Sequence, residues 1–282
     1  MKIRLLLSFI ILFFISCSSD DTTTYNDAVE KHLKEISKVI DGQQIELNKF
    51  ENNRLTERYL YNNNQLYFEN YYTYNEEGYL TERYSENFNT QETSNQILEY
   101  DDLGKLILIE TQYTSDGVPS YSSEQNFDYN TLNKIIETET SSVQPQAPKT
   151  YVYDIINNNL VYKVTHDGDN PTIFEGQYQG GNLVTQLYTN YINGSYVTQT
   201  TNFTYTTINV IEDNTNQNNY FEINSALLNR GISNPKVYYI LSAQNDNGNT
   251  TFEYELDEDG YPTKIESFNN GELSIQYYYS YE

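Results

Sequence analysis

One pentapeptide occurs twice in this chain: Leu55-Thr56-Glu57-Arg58-Tyr59 returns unchanged as Leu80-Thr81-Glu82-Arg83-Tyr84, 25 residues later. A repeat at near-constant spacing limits the fold more than composition does, because each copy must be one supersecondary unit that stacks on the next. A second signature follows the same period. Tyr72-Thr73-Tyr74-Asn75 runs into Gly78 and Leu80, Leu98-Glu99-Tyr100-Asp101 into Gly104 and Leu106, and Phe127-Asp128-Tyr129-Asn130 into Asn133 and Ile135. Tyr151-Val152-Tyr153-Asp154, Phe203-Thr204-Tyr205 and Phe252-Glu253-Tyr254 open further copies.

In each unit, ring-bearing or aliphatic residues flank a mostly polar one, as a strand requires when one face is buried and the other wet. A short Asn/Asp/Gly loop supplies the positive φ angles and side-chain hydrogen bonds of a tight turn. Leu or Ile then restarts the alternation. Each unit is therefore a β-hairpin, and successive hairpins add to one antiparallel up-and-down meander. The expected fold is all-β, with about 16 to 18 strands curled into a barrel-like or half-barrel sheet, since twisted sheets beyond about ten strands curl or close. The 30 Tyr and 12 Phe, with no Trp, supply much of the apolar area.

Residues 42–282 read as a single repetitive domain. Before it, Val29, Leu33, Ile36, Val39 and Ile40 recur at spacings of three and four, which predicts one amphipathic helix over 26–41, stopped by Asp41-Gly42. Inside the meander, Ser141 to Pro148 reads as a long loop. Asn214 to Asn234 reads as an elaborated connection in which Ser225 to Gly231 makes a helical turn.

The N-terminus carries an address. Lys2 and Arg4 precede an apolar run from Leu5 to Ile15, too short to span a bilayer, so residues 1–16 read as a secretory signal. Ser16-Cys17-Ser18 follows and resembles the lipobox of Gram-negative lipoproteins, which implies acylation of Cys17, the only cysteine. A free thiol there would be a liability in an oxidising compartment. Residues 17–25 are a polar tether. Its Asp20 and Asp21 resemble the surface-export signal of Bacteroidetes lipoproteins, and Asp21-Thr22-Thr23 resembles an O-glycosylation motif of that group.

The Tyr-x-Tyr-Asp units with their Gly turn and following Leu resemble the YD repeats of the RHS family, from about Asn48 to Tyr281. In long RHS proteins such repeats spiral into a shell around a toxic cargo, and this chain has neither the length nor a cargo region. It resembles more closely the short YD-like lipoproteins of Bacteroidetes, for which a barrel-like or porin-like sheet is expected.

Chemistry is sparse. The chain has two histidines, His32 and His166, and none of the Gly-x-Ser-x-Gly, His-Glu-x-x-His or Walker patterns, so no catalytic residue is assigned. With 40 acids, carboxylate pairs of the glycosidase type remain available. Asp167-Gly168-Asp169-Asn170 and Asp257-Glu258-Asp259-Gly260 lack EF-hand spacing and read as ordinary turns, so neither a metal nor a cofactor is expected. Loss of Lys2 and Arg4 with the signal leaves 14 cations against 40 acids, a surface unsuited to nucleic acid. Such a charge favours a neutral glycan or peptide over an anion.

The candidate ligand-binding rings are Tyr71, Tyr72, Tyr238, Tyr239, Tyr277, Tyr278 and Tyr279. Neighbours in a strand point to opposite faces, so these runs put rings outside any single core. The same rings also serve as cross-strand ladders that shield the sheet. The sequence thus reads as an outer-membrane lipoprotein, facing periplasm or cell surface, with a non-catalytic binding or structural role. The alternatives are a glycan-capturing or carbohydrate-processing accessory protein and an integral outer-membrane β-barrel, whose strands also alternate.

Overall fold

The alternation is realised as strands throughout. The computed structural model describes residues 31–145, 147–156, 160–166, 171–209, 226–233 and 238–282, without the side chains of residues 208, 209 and 238. The signal, the tether with Cys17, residues 26–30 and the Asp167 turn lie outside that range.

The strands are β1 (Leu33–Ile40), β2 (Gln43–Glu51), β3 (Arg54–Asn62), β4 (Gln65–Tyr74), β5 (Leu80–Asn87), β6 (Glu92–Tyr100), β7 (Leu106–Ser115), β8 (Val118–Asp128) and β9 (Lys134–Ser141). They continue as β10 (Lys149–Ile156), β11 (Leu160–His166), β12 (Thr172–Gln179), β13 (Asn182–Ile192), β14 (Ser195–Asn209), β15 (Tyr238–Asn245), β16 (Gly248–Leu256), β17 (Pro262–Asn269) and β18 (Glu272–Tyr281). Each pairs antiparallel with the next in sequence, and β1 also pairs with β18, so the 18-stranded sheet closes into a barrel. Closure leaves no unpaired edge, the usual liability of a long sheet.

The tight turns follow the residue types that permit them. Asp41-Gly42, Asn52-Asn53, Asn63-Asn64, Asp116-Gly117, Asn193-Gly194 and Asn270-Gly271 all have φ > 0 at both central positions. Right-twisted hairpins require this of a two-residue loop.

The expected N-terminal helix is corrected over its described part: Leu33–Ile40 is strand β1. The spacing of three between Leu33 and Ile36 comes from a bulge. The register shifts between Leu33 and Glu35, so Leu33 faces Tyr281 and Ile36 faces Tyr279 on the same side. An inserted residue makes a strand imitate helical spacing. Asp41-Gly42 is then a hairpin turn rather than a helix stop. The only helical turn among the described residues covers 226–229, inside the expected connection.

Register separates two faces. Asn48, Arg58, Asn70, Ser85, Ser94, Tyr113 and Tyr121 each lie opposite the next across β2 to β8, on the face that also holds Leu98 and Ile109. Leu98, Ile109, Phe127, Ile135, Tyr153 and Val164 pack there around Ala226 and Leu227 of the β14–β15 connection. Residues 226–233 of that connection therefore lie within the barrel, and this face is the inner one. Gly176 on β12 makes room for them: a Cβ there would sit 2.8 Å from Cδ1 of Ile232. A second cluster joins Tyr239 and Ile265 to Phe252, Tyr254, Tyr277 and Tyr279.

Successive strands run in opposite directions, so turns after even-numbered strands gather at one rim and turns after odd-numbered strands at the other. The first rim also holds Lys31 and Tyr281.

Candidate functional site

The repeat signature turns out to be a fastening between neighbouring units. Tyr74 donates its hydroxyl to the carbonyl of Leu55 at 2.9 Å, Tyr100 to Leu80 at 2.8 Å and Tyr129 to Leu106 at 2.8 Å. Tyr205 does the same to Leu183 at 2.5 Å, Tyr281 to Pro262 at 2.7 Å, and Tyr254 to Ile240. Each anchor ring thus reaches back to the residue that restarts the preceding unit. The Asn or Asp after it closes the turn: Asn75 Oδ1 accepts from the amide of Tyr79, and Asp101 Oδ1 from those of Leu103 and Lys105. Both parts of the signature build the fold.

The fastening changes at Tyr153. Its hydroxyl goes to the carboxylate of Glu137, which also accepts from Gln125 at 2.9 Å and from Arg230 Nε at 3.1 Å. Arg230 Nη2 lies 3.0 Å from Glu139, and its guanidinium covers the Tyr151 ring at 4.4 Å. Burial pushes the Glu137 carboxyl above the usual carboxylate range, opposed by Tyr153 and Arg230, and pushes the Tyr153 hydroxyl far above the phenol range. Arg230 takes a positive φ of 49°, and Ser233 exchanges hydrogen bonds with the backbone of Val161. The cluster secures the inserted connection to β9, β10 and β11. Nothing in the sequence marks Arg230 as the partner of a glutamate 93 residues away.

The doubled tyrosines divide between the faces as alternation requires. Tyr72, Tyr277 and Tyr279 lie inside, and Tyr239 is buried beside Ile265. Tyr71 and Tyr278 lie outside, 37% and 42% exposed. The side chain of Tyr238 is outside the described residues, as is Cys17. The structure therefore gathers Tyr239, Tyr277 and Tyr279 into a core and leaves Tyr71 and Tyr278 apart from them. Tyr71 belongs to an outer ladder with Tyr59 and Tyr84, at centroid distances of 6.3 and 6.4 Å. In the Asp257 turn, Lys31 Nζ lies 2.7 Å from Asp257 and 2.6 Å from Asp259, so an ammonium already sits between these carboxylates. Among the described residues no three His, Cys, Asp or Glu side chains converge as a metal site would need.

Open space lies on both walls: the outer one carries a cavity of about 490 Å³ lined by Asn95, Ile97, Glu110, Gln112, Ser122 and Glu124, and two others lie on the inner wall toward the second rim. Tyr113 and Tyr121 stack there with centroids 4.0 Å apart and planes 15° apart. On one side of them is a cavity of about 350 Å³ lined by Phe68, Arg83, Ser85, Ser94 and Gln96. On the other is one of about 310 Å³ lined by Ser123, Glu139, Ser141 and Lys149. Both are near the lower end of ligand-site volumes. This ring pair is not a doubled tyrosine. Its two members straddle the Asp116-Gly117 turn, and only the hairpin register brings them face to face.

No family model matches the sequence, and no curated protein does. Among solved structures, a porin-like protein from Bacteroides uniformis ATCC 8492 is similar, with a TM-score of 0.43 and 14% identity over 88% of this chain and 95% of that one. A porin-like protein from Bacteroides vulgatus ATCC 8482 has a TM-score of 0.39 and 12% identity over 90% of this chain and 99% of that one.

Proposed function

We propose that this chain is an exported, YD-repeat-like lipoprotein of the outer membrane, tethered through Cys17, whose barrel is a non-catalytic binding module. Its ligand, a small glycan or peptide, occupies the inner cavities beside Tyr113 and Tyr121. One observation supports this most: the barrel is polar outside, and the cavities walled by stacked rings lie inside, near the rim opposite Lys31.

The outward rows include Glu57, Glu69, Glu82, Glu86, Glu110 and Glu124, interrupted singly by Ile97 or Leu108. Charged side chains on a lipid face are destabilising, and a spanning barrel carries an apolar band there. An integral outer-membrane barrel would need these carboxylates shielded. The lipid-anchored reading leaves them in water.

The test is a glycan array and a peptide library screened with the Cys17→Ser protein. A hit that is lost in Tyr113→Ala or Tyr121→Ala supports the reading. Silence on both screens reduces the protein to a structural lipoprotein.

A further inference from the structure

The repeated pentapeptide places two arginines at equivalent inner positions, and the group diagonally across from each differs in charge. Arg58, in the first copy, has Glu46 diagonally across on β2, with Nε 2.9 Å from Oε1. Arg83, in the second copy, has Asn70 at the corresponding place on β4. Asn70 Oδ1 meets Arg83 Nε at 3.4 Å and Nη2 at 3.3 Å, and accepts from Ser85 Oγ at 2.6 Å. The carboxylate of one unit is an amide in the next. Arg83 has no ion pair among the described residues, although the chain has 40 acids for 16 cations. Its other neighbour is the Tyr72 ring, 5.9 Å from the guanidinium carbon.

An uncompensated guanidinium has a use where it faces open space, and Arg83 lines the 350 Å³ cavity. Around it stand Ser85, Ser94 and Gln96, with the Tyr113 and Tyr121 rings as one wall. Beside it Asn70 is 1% exposed, and its Nδ2 donates to nothing among the described residues. The carboxylate on the lining, Glu92, accepts from Thr90 at the rim turn. Guanidinium forks match carboxylates in shape and charge. The net negative charge of the protein works against anions at a distance, but beyond about 8 Å salt screens it, and at contact the nearest group decides.

We infer that the Arg83 cavity binds the carboxylate of a small polar molecule, which takes the place that Glu46 fills beside Arg58. This rests on the binding role proposed above and narrows it to acidic ligands. The carboxylate has two possible sources, a sugar acid or the C-terminus of a short peptide, and one experiment separates them.

Titration calorimetry of the Cys17→Ser protein uses matched pairs: D-glucuronate against D-glucose, and N-acetyl-alanyl-alanine against its C-terminal amide. The acid member of one pair is expected to bind at least tenfold more tightly than its neutral partner, and that pair names the source. Arg83→Gln removes the preference. Asn70→Glu removes it as well, by installing the carboxylate of the first unit, and it keeps or raises the melting temperature, which separates occupancy of the site from loss of fold. Binding without an acid preference in either pair overturns the assignment while the binding role stands. An acid preference that survives Asn70→Glu overturns it too. Silence from all four probes overturns the assignment, whereas the binding role itself falls only with silence across the whole array and library.

Discussion

Arg230 Nη2 lies 3.1 Å from Oε1 of Glu137, a carboxylate whose side chain has no exposed surface. The pair joins the inserted β14–β15 connection to strand β9. Breaking a buried pair from one side leaves a charge without compensation, which costs about 3–5 kcal/mol. Arg230→Met is therefore expected to destabilise the protein by about that amount in urea unfolding. Adding Glu137→Gln removes the stranded charge but keeps an acceptor for Tyr153, and should restore more than half of the loss. A single-variant cost below about 1 kcal/mol, the range of an exposed pair, would show that the connection is held without this ion pair.

His166 supplies a pH test of the same region. Its ring stands edge-on to Tyr151 at 4.8 Å, and Nε2 lies 3.4 Å from the Arg230 carbonyl. Burial lowers its pKa below the ordinary histidine value of 6.5, with the nearby Arg230 charge acting in the same direction. The unfolded chain then takes up a proton first as pH falls, so stability from this group is present above 6.5 and declines until the folded pKa is passed. The slope in that window is at most about 1.4 kcal/mol per pH unit for one proton. Thermal unfolding between pH 8 and pH 5 should show this slope in the native protein and a shallower one in His166→Gln. Parallel curves would place the acid sensitivity elsewhere.

Much of this barrel is legible in the chain because each local choice agrees with the next. Tyr-x-Tyr followed by Asn or Asp names a strand end and its turn, and the alternation gives each ring its face. The bulge at Leu33 defeats the reading, since an extra residue in a strand and a helical face both space apolar side chains by three. Closure of the sheet, which makes β1 a strand, depends on Tyr279 and Tyr281 more than 240 residues away. Tyr113, Tyr121 and the contrast between Arg58 and Arg83 need register: the pentapeptides are identical, and the difference sits on the preceding strands, at Glu46 and Asn70.

The tyrosine fastening predicts unequal costs for removing the same atom. Tyr100→Phe deletes the hydroxyl that reaches Leu80 and leaves that carbonyl without this donor, for a loss of about 1 kcal/mol. Tyr71→Phe, on the exposed outer ladder, should change stability by less than about 0.5 kcal/mol, as surface changes do. Urea midpoints at constant m-value measure both. Equal effects would mean that the rings, not their hydroxyls, join the units.

The polar outer wall makes a prediction about the membrane. Tyr59, Tyr71 and Tyr84 are outward rings, but Glu57 bonds to the first and Glu86 to the third, and Lys49 pairs with Glu57 at 2.7 Å. On a surface in water each such pair contributes about 0–1 kcal/mol. In acyl chains every such charge would carry a desolvation cost. On the lipid-anchored reading proposed above, membrane attachment should then rest on Cys17 alone. Cys17→Ser is expected to move the exported protein wholly into the soluble fraction, folded without detergent and with the melting temperature of the detergent-extracted native protein. Retention of the variant in the membrane pellet after a carbonate wash would sink the tethered-barrel reading and favour strands that cross the bilayer.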